Sequence, residues 1–241
     1  ELHAKLMTGV LTGVRGNHAT PGEFRRSQNW IGPAGCTLAN ATYVPPPPDE
    51  MTACLEQWEM FLHDRSLPPL VQVALAHCQF EAIHPFLDGN GRVGRLLITL
   101  FLVERGVLPT PLLYLSAFFE AARRDYYDHL LGVSTRGEWS AWLHYFLNGV
   151  ARQAEDALSR AQRINTLLVK WRATVSGTAS KIPLAIVDML AANPYLTINH
   201  VAKQLGVAYT TAQRAVDRLV SLSIVKEISK AKRDRVYCAV T

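Results

Sequence analysis

The chain has no apolar run that could cross a bilayer. Its best candidate, "LLITLFLV", is eight residues long, against the ~20 that a membrane-spanning helix needs. No stretch reads as a signal peptide and no internal repeat appears. Cysteine is scarce and scattered: Cys36, Cys54, Cys78 and Cys238 form no CxxC pair. Metal and disulfide frameworks need tighter clustering, so buried thiols in a reducing compartment are the reading, with the cytoplasm as the expected setting. Charge is sparse as well, at 19% of residues against 49% apolar. That balance excludes a disordered chain. The first residue is Glu1, not methionine, and "LHAKLM" already reads as helix. Further residues upstream are therefore expected.

At 241 residues the chain can bury one large core, or one medium core and one small one. The net charge of +5 is unevenly spread. Residues 182–241 carry eight Lys/Arg against four Asp/Glu, and residues 1–181 carry 17 against 16. A polyanion is expected to bind, if anywhere, at the C-terminal end.

A helix is expected over 1–14, with Leu2, Leu6, Val10 and Val14 on one face. The stretch from Arg15 to Pro48 is rich in Gly, Pro and Asn; "NWI" and "ATYV" flank a Gly-Pro-Ala-Gly turn and suggest a small β-hairpin. Four prolines then run extended, and Asp49 is expected to cap a helix over 50–63 whose apolar side is Met51, Leu55, Trp58 and Leu62. Two mostly apolar helices, "PLVQVALAHCQFEAI" and "RLLITLFLVERG", mark the centre of a helical domain. "SAFFEAARRDYYDHLLGV", "WSAWLHYFLNGV" and a long amphipathic stretch over about 149–175 continue the bundle. The domains are expected at 1–175 and 182–241, joined by a polar linker at 176–181. In the second, "INHVAKQLGVAYTTAQRAVDRL" has a helix–glycine turn–helix layout, with "KEIS" and "RVYCAV" as strands around the basic turn "KAKRDR".

Between the two apolar helices lies "HPFLDGNGRVGR", His84 to Arg95. Its glycines let backbone N–H groups turn inward just before a helix, and such a nest is an anion site. Arg92 and Arg95, three apart, share one helix face. Asp88 would repel a bare phosphate but suits a divalent cation bridging to one. His84 can take a proton from an incoming hydroxyl. Phe86 reads as an anchor to the core. Together these groups point to phosphoryl or nucleotidyl transfer; each alone is also compatible with a structural turn.

The same twelve residues resemble the HxFx(D/E)GNGRxxR signature of Fic domains at every fixed position, and "GEFRRSQNWIG", "ATYVPPPP" and "RRDYYDHL" resemble that family's flanks. The resemblance covers about 1–175. It implies a mainly α fold, a Fic-type helical bundle with a small β-hairpin flap, followed by a winged helix. It also implies a protein adenylyltransferase that moves AMP from ATP to a Ser, Thr or Tyr hydroxyl. On it, His84 is the general base and Asp88 holds Mg2+, with Mn2+ as the alternative. Gly89, Asn90 and Gly91 bind phosphate oxygens through the nest, and Arg92 and Arg95 grip the phosphates. Gly94, Tyr126 and Tyr127 complete the nucleotide contacts, Tyr126 having an aromatic core pair as its other reading. The flap from Trp30 to Tyr43 (residues 30–43) would pair with the backbone of the protein substrate.

The family's inhibitory pattern, (S/T)xxxE(G/N), occurs nowhere in the chain. The resemblance places it just upstream, where its glutamate would pair with Arg95, so autoinhibition and removal of AMP are both expected of a longer chain. The tail resembles winged helices fused to Fic cores, with Arg214, Arg218, Lys232, Arg233 and Arg235 as phosphate contacts to DNA. Dimerisation, giving a homodimer, and protein binding are its other uses. A DNA-binding regulator with an ATP-sensing site, and transfer of another phosphate-containing group, are the alternative functions.

Overall fold

A computed structural model describes residues 1–8, 21–177, 180–229 and 234–240. Val10, Val14, Lys232 and Arg233 lie outside the described residues. The chain forms two compact units, Glu1–Ala157 and Leu158–Thr241. The linker expected at 176–181 thus falls within the second unit.

The first unit is helical: α1 (Leu2–Met7), α2 (Pro48–His63), α3 (Pro69–Ile83), α4 (Asn90–Glu104), α5 (Leu115–Ala121), α6 (Arg123–Arg136) and the start of α7 (Trp139–Val175). Prolines set two of the starts. Pro48 and Pro69 occupy first-turn positions, where the missing N–H has no partner to lose. Asp49 is accordingly not the cap of α2: Pro47 holds that place, and Asp49 is the second residue of the helix, where its charge favours the helix N-terminus. The segment 116–133, read as one stretch continuing the bundle, is broken at Ala122 (φ −125°, ψ 53°). Conversely, the two helical stretches over 139–175 form the single helix α7.

Burial follows the apolar pattern. Helix α3 is buried over most of its circumference, including Val73, Ala74, Ala76, Cys78, Phe80 and Ile83. Helix α4 buries one stripe through Val93, Ile98 and Leu102 and leaves Leu100 exposed. The core gathers Ile98, Leu102, Phe119, Tyr126, Trp142 and Phe146. Trp142 donates its indole N–H to the Ala74 carbonyl at 2.9 Å, which satisfies the one polar atom this fully buried side chain carries.

The expected flap hairpin is reduced to a single antiparallel bridge, Ile31 to Tyr43. A 3-10 turn over Leu38–Asn40 fills the space between, so no ladder of strands develops. Its closure rests on Thr37 and Asn40, which cap each other's backbone groups.

In the second unit, α8 (Ile182–Ala192), α9 (Ile198–Leu205) and α10 (Tyr209–Ser221) pack against the sheet β1 (Tyr195–Thr197), β2 (Val225–Glu227) and β3 (Val236–Ala239), in the antiparallel order β1-β3-β2. Strand β1 was not expected from the sequence. Thr197 caps α9 by accepting from the His200 N–H at 3.2 Å, and Gly206 ends it in the left-handed region (φ 64°). Leu168, Trp171 and Val175 of α7 join Ile186, Val201, Val216, Leu219 and Tyr237 in this unit's core.

Candidate active site

Helix α3 ends where Pro85 forbids its continuation. His84 caps it in the left-handed region (φ 51°, ψ 58°), a conformation that costs a non-glycine residue about 1–2 kcal/mol. Nearly every carbonyl of the turn has a specific donor. Ala82 accepts from the Tyr43 hydroxyl at 3.0 Å, and the Glu81 carbonyl lies 3.2 Å from His84 Nδ1. Ile83 and His84 accept from the Arg25 guanidinium, and Pro85 accepts from the Arg25 backbone N–H. Phe86 accepts from the side-chain amides of both Asn90 and Asn29, at 2.7 and 3.2 Å. Asp88 accepts from His3 Nε2 at 2.9 Å, while His3 Nδ1 accepts from the Gly22 N–H at 2.8 Å and so fixes the tautomer. The loop's shape is dictated by this set of hydrogen bonds, with Phe86 anchored by stacking on His3 at 3.9 Å.

Helix α4 then begins from Gly89, whose φ of 85° suits glycine. A Cβ there would also come within 3.0 Å of Met7 Sδ. Asn90 is buried and its amide clasps Phe86, both accepting from its N–H and donating to its carbonyl. Its side chain is therefore a brace, and its backbone can serve a nest.

A cavity of about 570 Å³ opens over this loop. Among the expected site residues, His84, Asp88, Gly89, Asn90, Gly91, Arg92, Arg95 and Tyr127 line it. Ile31, Gly32, Thr42 and Tyr43 of the bridged loop form part of the wall, with Glu81, Glu120 and Arg123. Asp88 and Arg92 form an ion pair at 3.3 Å, and Arg95, largely buried, stands 3.9 Å from Glu120. Arg123 lies over the Tyr127 ring at 5.7 Å.

Gly94 and Tyr126 do not line the cavity. Gly94 lets α3 and α4 approach closely: a Cβ would collide with the Glu81 carboxylate and come within 3.1 Å of Phe80 and 3.3 Å of His77. Tyr126 is a core residue bonded to His77 at 2.8 Å. Burial drives the pKa of His77 down to about 3 and raises that of Tyr126, so both are neutral. Glu81 is a residue that the motif reading passed over. Burial pushes its carboxyl up to about 7, opposed by the nearby Arg95, and its Oε1 has no hydrogen-bond partner. The sequence did carry a signal for it, a lone acidic residue in an apolar helix. Arg25 and His3 lie in segments far along the chain from the motif, and nothing local announces their contacts.

Among the described residues no cluster of three or more His, Cys, Asp or Glu could hold a metal ion by protein ligands alone. Asp88 offers one half-exposed carboxylate at the cavity. That fits Mg2+, which takes one or two carboxylates and fills its shell with water and substrate phosphate.

On the second unit, Arg214 and Arg218 are exposed one turn apart on α10. Arg235 instead faces Glu227 at 3.5 Å. No helix among the described residues is long and apolar enough to cross a membrane.

Residues 1–102 match the model of the Fic/DOC family, and residues 180–226 match that of a winged helix-turn-helix DNA-binding domain. Over 141 residues the chain is 33% identical to the protein adenylyltransferase Fic of Drosophila virilis and 31% identical to that of Drosophila melanogaster. The match covers 57% of this chain and 24% of each relative, so the chain spans about a quarter of their length. A solved Fic family protein from Desulfovibrio desulfuricans G20 shares its fold, with a TM-score of 0.56 at 20% identity, over 99% of this chain and 66% of that one.

Proposed function

We propose that this chain, a Fic-family protein with a C-terminal winged helix-turn-helix, transfers AMP from ATP to a hydroxyl of a protein substrate. The observation that carries the reading is the convergence of His84, Asp88, the Gly89–Gly91 backbone, Arg92 and Arg95 on one cavity. The substrate oxygen attacks the α-phosphorus, a new P–O bond forms, and the bond to the β-phosphate oxygen breaks. His84 receives the hydroxyl proton, and diphosphate leaves with the electron pair. Arg92, Arg95 and the α4 N-terminus face the charge that accumulates on the leaving group. Mg2+ held at Asp88 would neutralise phosphate charge.

The bridged loop over 30–43 supports substrate alignment, because Ile31 and Thr42 place backbone beside the cavity that His84 lines. A carboxylate brought to Arg95 from another segment would compete with phosphate, which is how inhibition would act here; with AMP-modified protein bound in place of ATP, water attacking the phosphorus would break its bond to the protein oxygen and release AMP, His84 returning a proton to the leaving hydroxyl. The free thiols suit the reducing cytoplasm.

The test uses ATP labelled in turn at the α and γ phosphates. Label in protein from α but not γ supports adenylyl transfer. Label from γ shows phosphoryl transfer instead and overturns it. A second reading, a DNA-binding regulator, is favoured by the exposed Arg214 and Arg218. Salt-dependent retention of DNA, lost on deleting 182–241 and unaccompanied by any transfer, would establish it.

A further inference from the structure

Arg25 is 2% exposed, yet every hydrogen-bond partner of its guanidinium among the described residues is a backbone carbonyl. Nε donates to His84 at 3.0 Å, Nη2 to Ile83 at 3.4 Å and to Pro46, and Nη1 to Ser27 at 3.3 Å. Its own backbone N–H donates to Pro85 at 2.9 Å. Three consecutive carbonyls, 83 to 85, are thus held by one residue, at the negative end of α3. His84 is the residue at that end with a left-handed backbone, which needs outside support to persist. The planar fork also ties this turn to Pro46, ahead of α2, and to Ser27, so it fixes the turn against two other segments.

We propose that Arg25 is a positioning residue for the transfer reaction, holding the His84 backbone so that its imidazole faces the incoming hydroxyl. This rests on the adenylyl-transfer reading above. The nucleotide contacts do not pass through Arg25, since the Gly89–Gly91 backbone, Arg92 and Arg95 belong to the loop's far end and α4. Arg25 therefore acts on turnover and leaves nucleotide affinity alone. A lysine keeps the charge but is a point donor on a flexible stem and cannot hold Pro46 and His84 at once.

The experiment compares wild type, Arg25→Lys and Arg25→Gln, with Arg26→Lys as a control on an exposed neighbour that pairs with Glu23 at 3.5 Å. Three quantities are read in the 241-residue chain: kcat for transfer, Kd for a non-hydrolysable ATP analogue, and the His84 ring signals by NMR, assigned through His84→Ala. Arg25→Lys is expected to lower kcat about 10- to 100-fold, the scale of a reactive group displaced by about an ångström. Analogue affinity should stay within about twofold, His84 signals should shift, and Arg26→Lys should match wild type. Where a variant fails to fold, the wild type itself still decides: Arg25 Nε–H must be protected from solvent exchange, and rapid exchange overturns the proposal. Equal kcat and unmoved His84 signals in a folded Arg25→Lys overturn it too, as does a parallel loss of affinity and kcat. If wild type shows no transfer at all, the adenylyl-transfer reading fails, while the His84 signals still judge Arg25.

Discussion

The loop from His84 to Arg95 and the exposed face of α10 both gather arginines, but they use them in opposite ways. Around the loop, three arginines have assigned places. Arg25 holds carbonyls, Asp88 pairs with Arg92, and Arg95 is largely buried beside Glu120. On α10, Arg214 and Arg218 stand in solvent. A preorganised cavity concentrates the effect of a single side chain, because a donor fixed in a dry site acts on charge as it develops. A solvated basic face spreads its effect over many weak, screened contacts. One substitution should therefore be severe in the first region and mild in the second.

The largest effect that can break this contrast is Arg95→Ala, expected to lower transfer by about 10²-fold in steady-state assays; a change below about threefold would place Arg95 with the solvated arginines. Next comes Glu81→Gln, read as stability against pH. The Glu81 carboxyl is raised from 4.5 to about 7. Between those values the folded state holds a proton that the unfolded state has released. Wild-type stability attributable to Glu81 is thus full below about 4.5 and falls as pH rises through about 7. Denaturant melts of Glu81→Gln should gain on wild type across that window, by on the order of 3 kcal/mol. His77, lowered to about 3, gives both proteins the same opposite slope between about 3 and 6.5, so the difference isolates Glu81. A constant difference would show that Glu81 is solvated.

Gly94→Ala should destabilise the first unit by about 1–3 kcal/mol in the same melts, since its Cβ meets the Glu81 carboxylate and Phe80. Smallest is Arg218→Ala: where DNA binding is seen, it should weaken binding uniformly across sequences and reduce the salt slope by about one. Loss of binding to one sequence alone would mean that α10 reads bases at that residue.

How much of this was legible in the sequence depends on how local the causes are. The bounds of α3 could be read because Pro69 opens it and Pro85 closes it. The loop's chemistry could be read because its groups lie within twelve residues. The break at Ala122 could not, since no glycine or proline marks it. Strand β1 was hidden because its partner, β3, lies some forty residues on. The hairpin reading of 30–43 saw the closing bridge but not the 3-10 turn that replaces its ladder. Gly94 carried a signal that went unused: glycine inside a helix costs about 1 kcal/mol against alanine, so close packing was the physical reason to consider. Arg25 reaches His84 across 59 residues of sequence, a contact that only the fold reveals.

The central claim is that His84 takes the proton in a transfer whose nucleotide is held by other groups. The most direct measurement is transfer from α-labelled ATP by wild type and His84→Ala, with analogue affinity measured on the same samples. The account gives a loss of about 10²- to 10⁴-fold in transfer with affinity unchanged. Equal labelling by both proteins, at equal affinity, would contradict it.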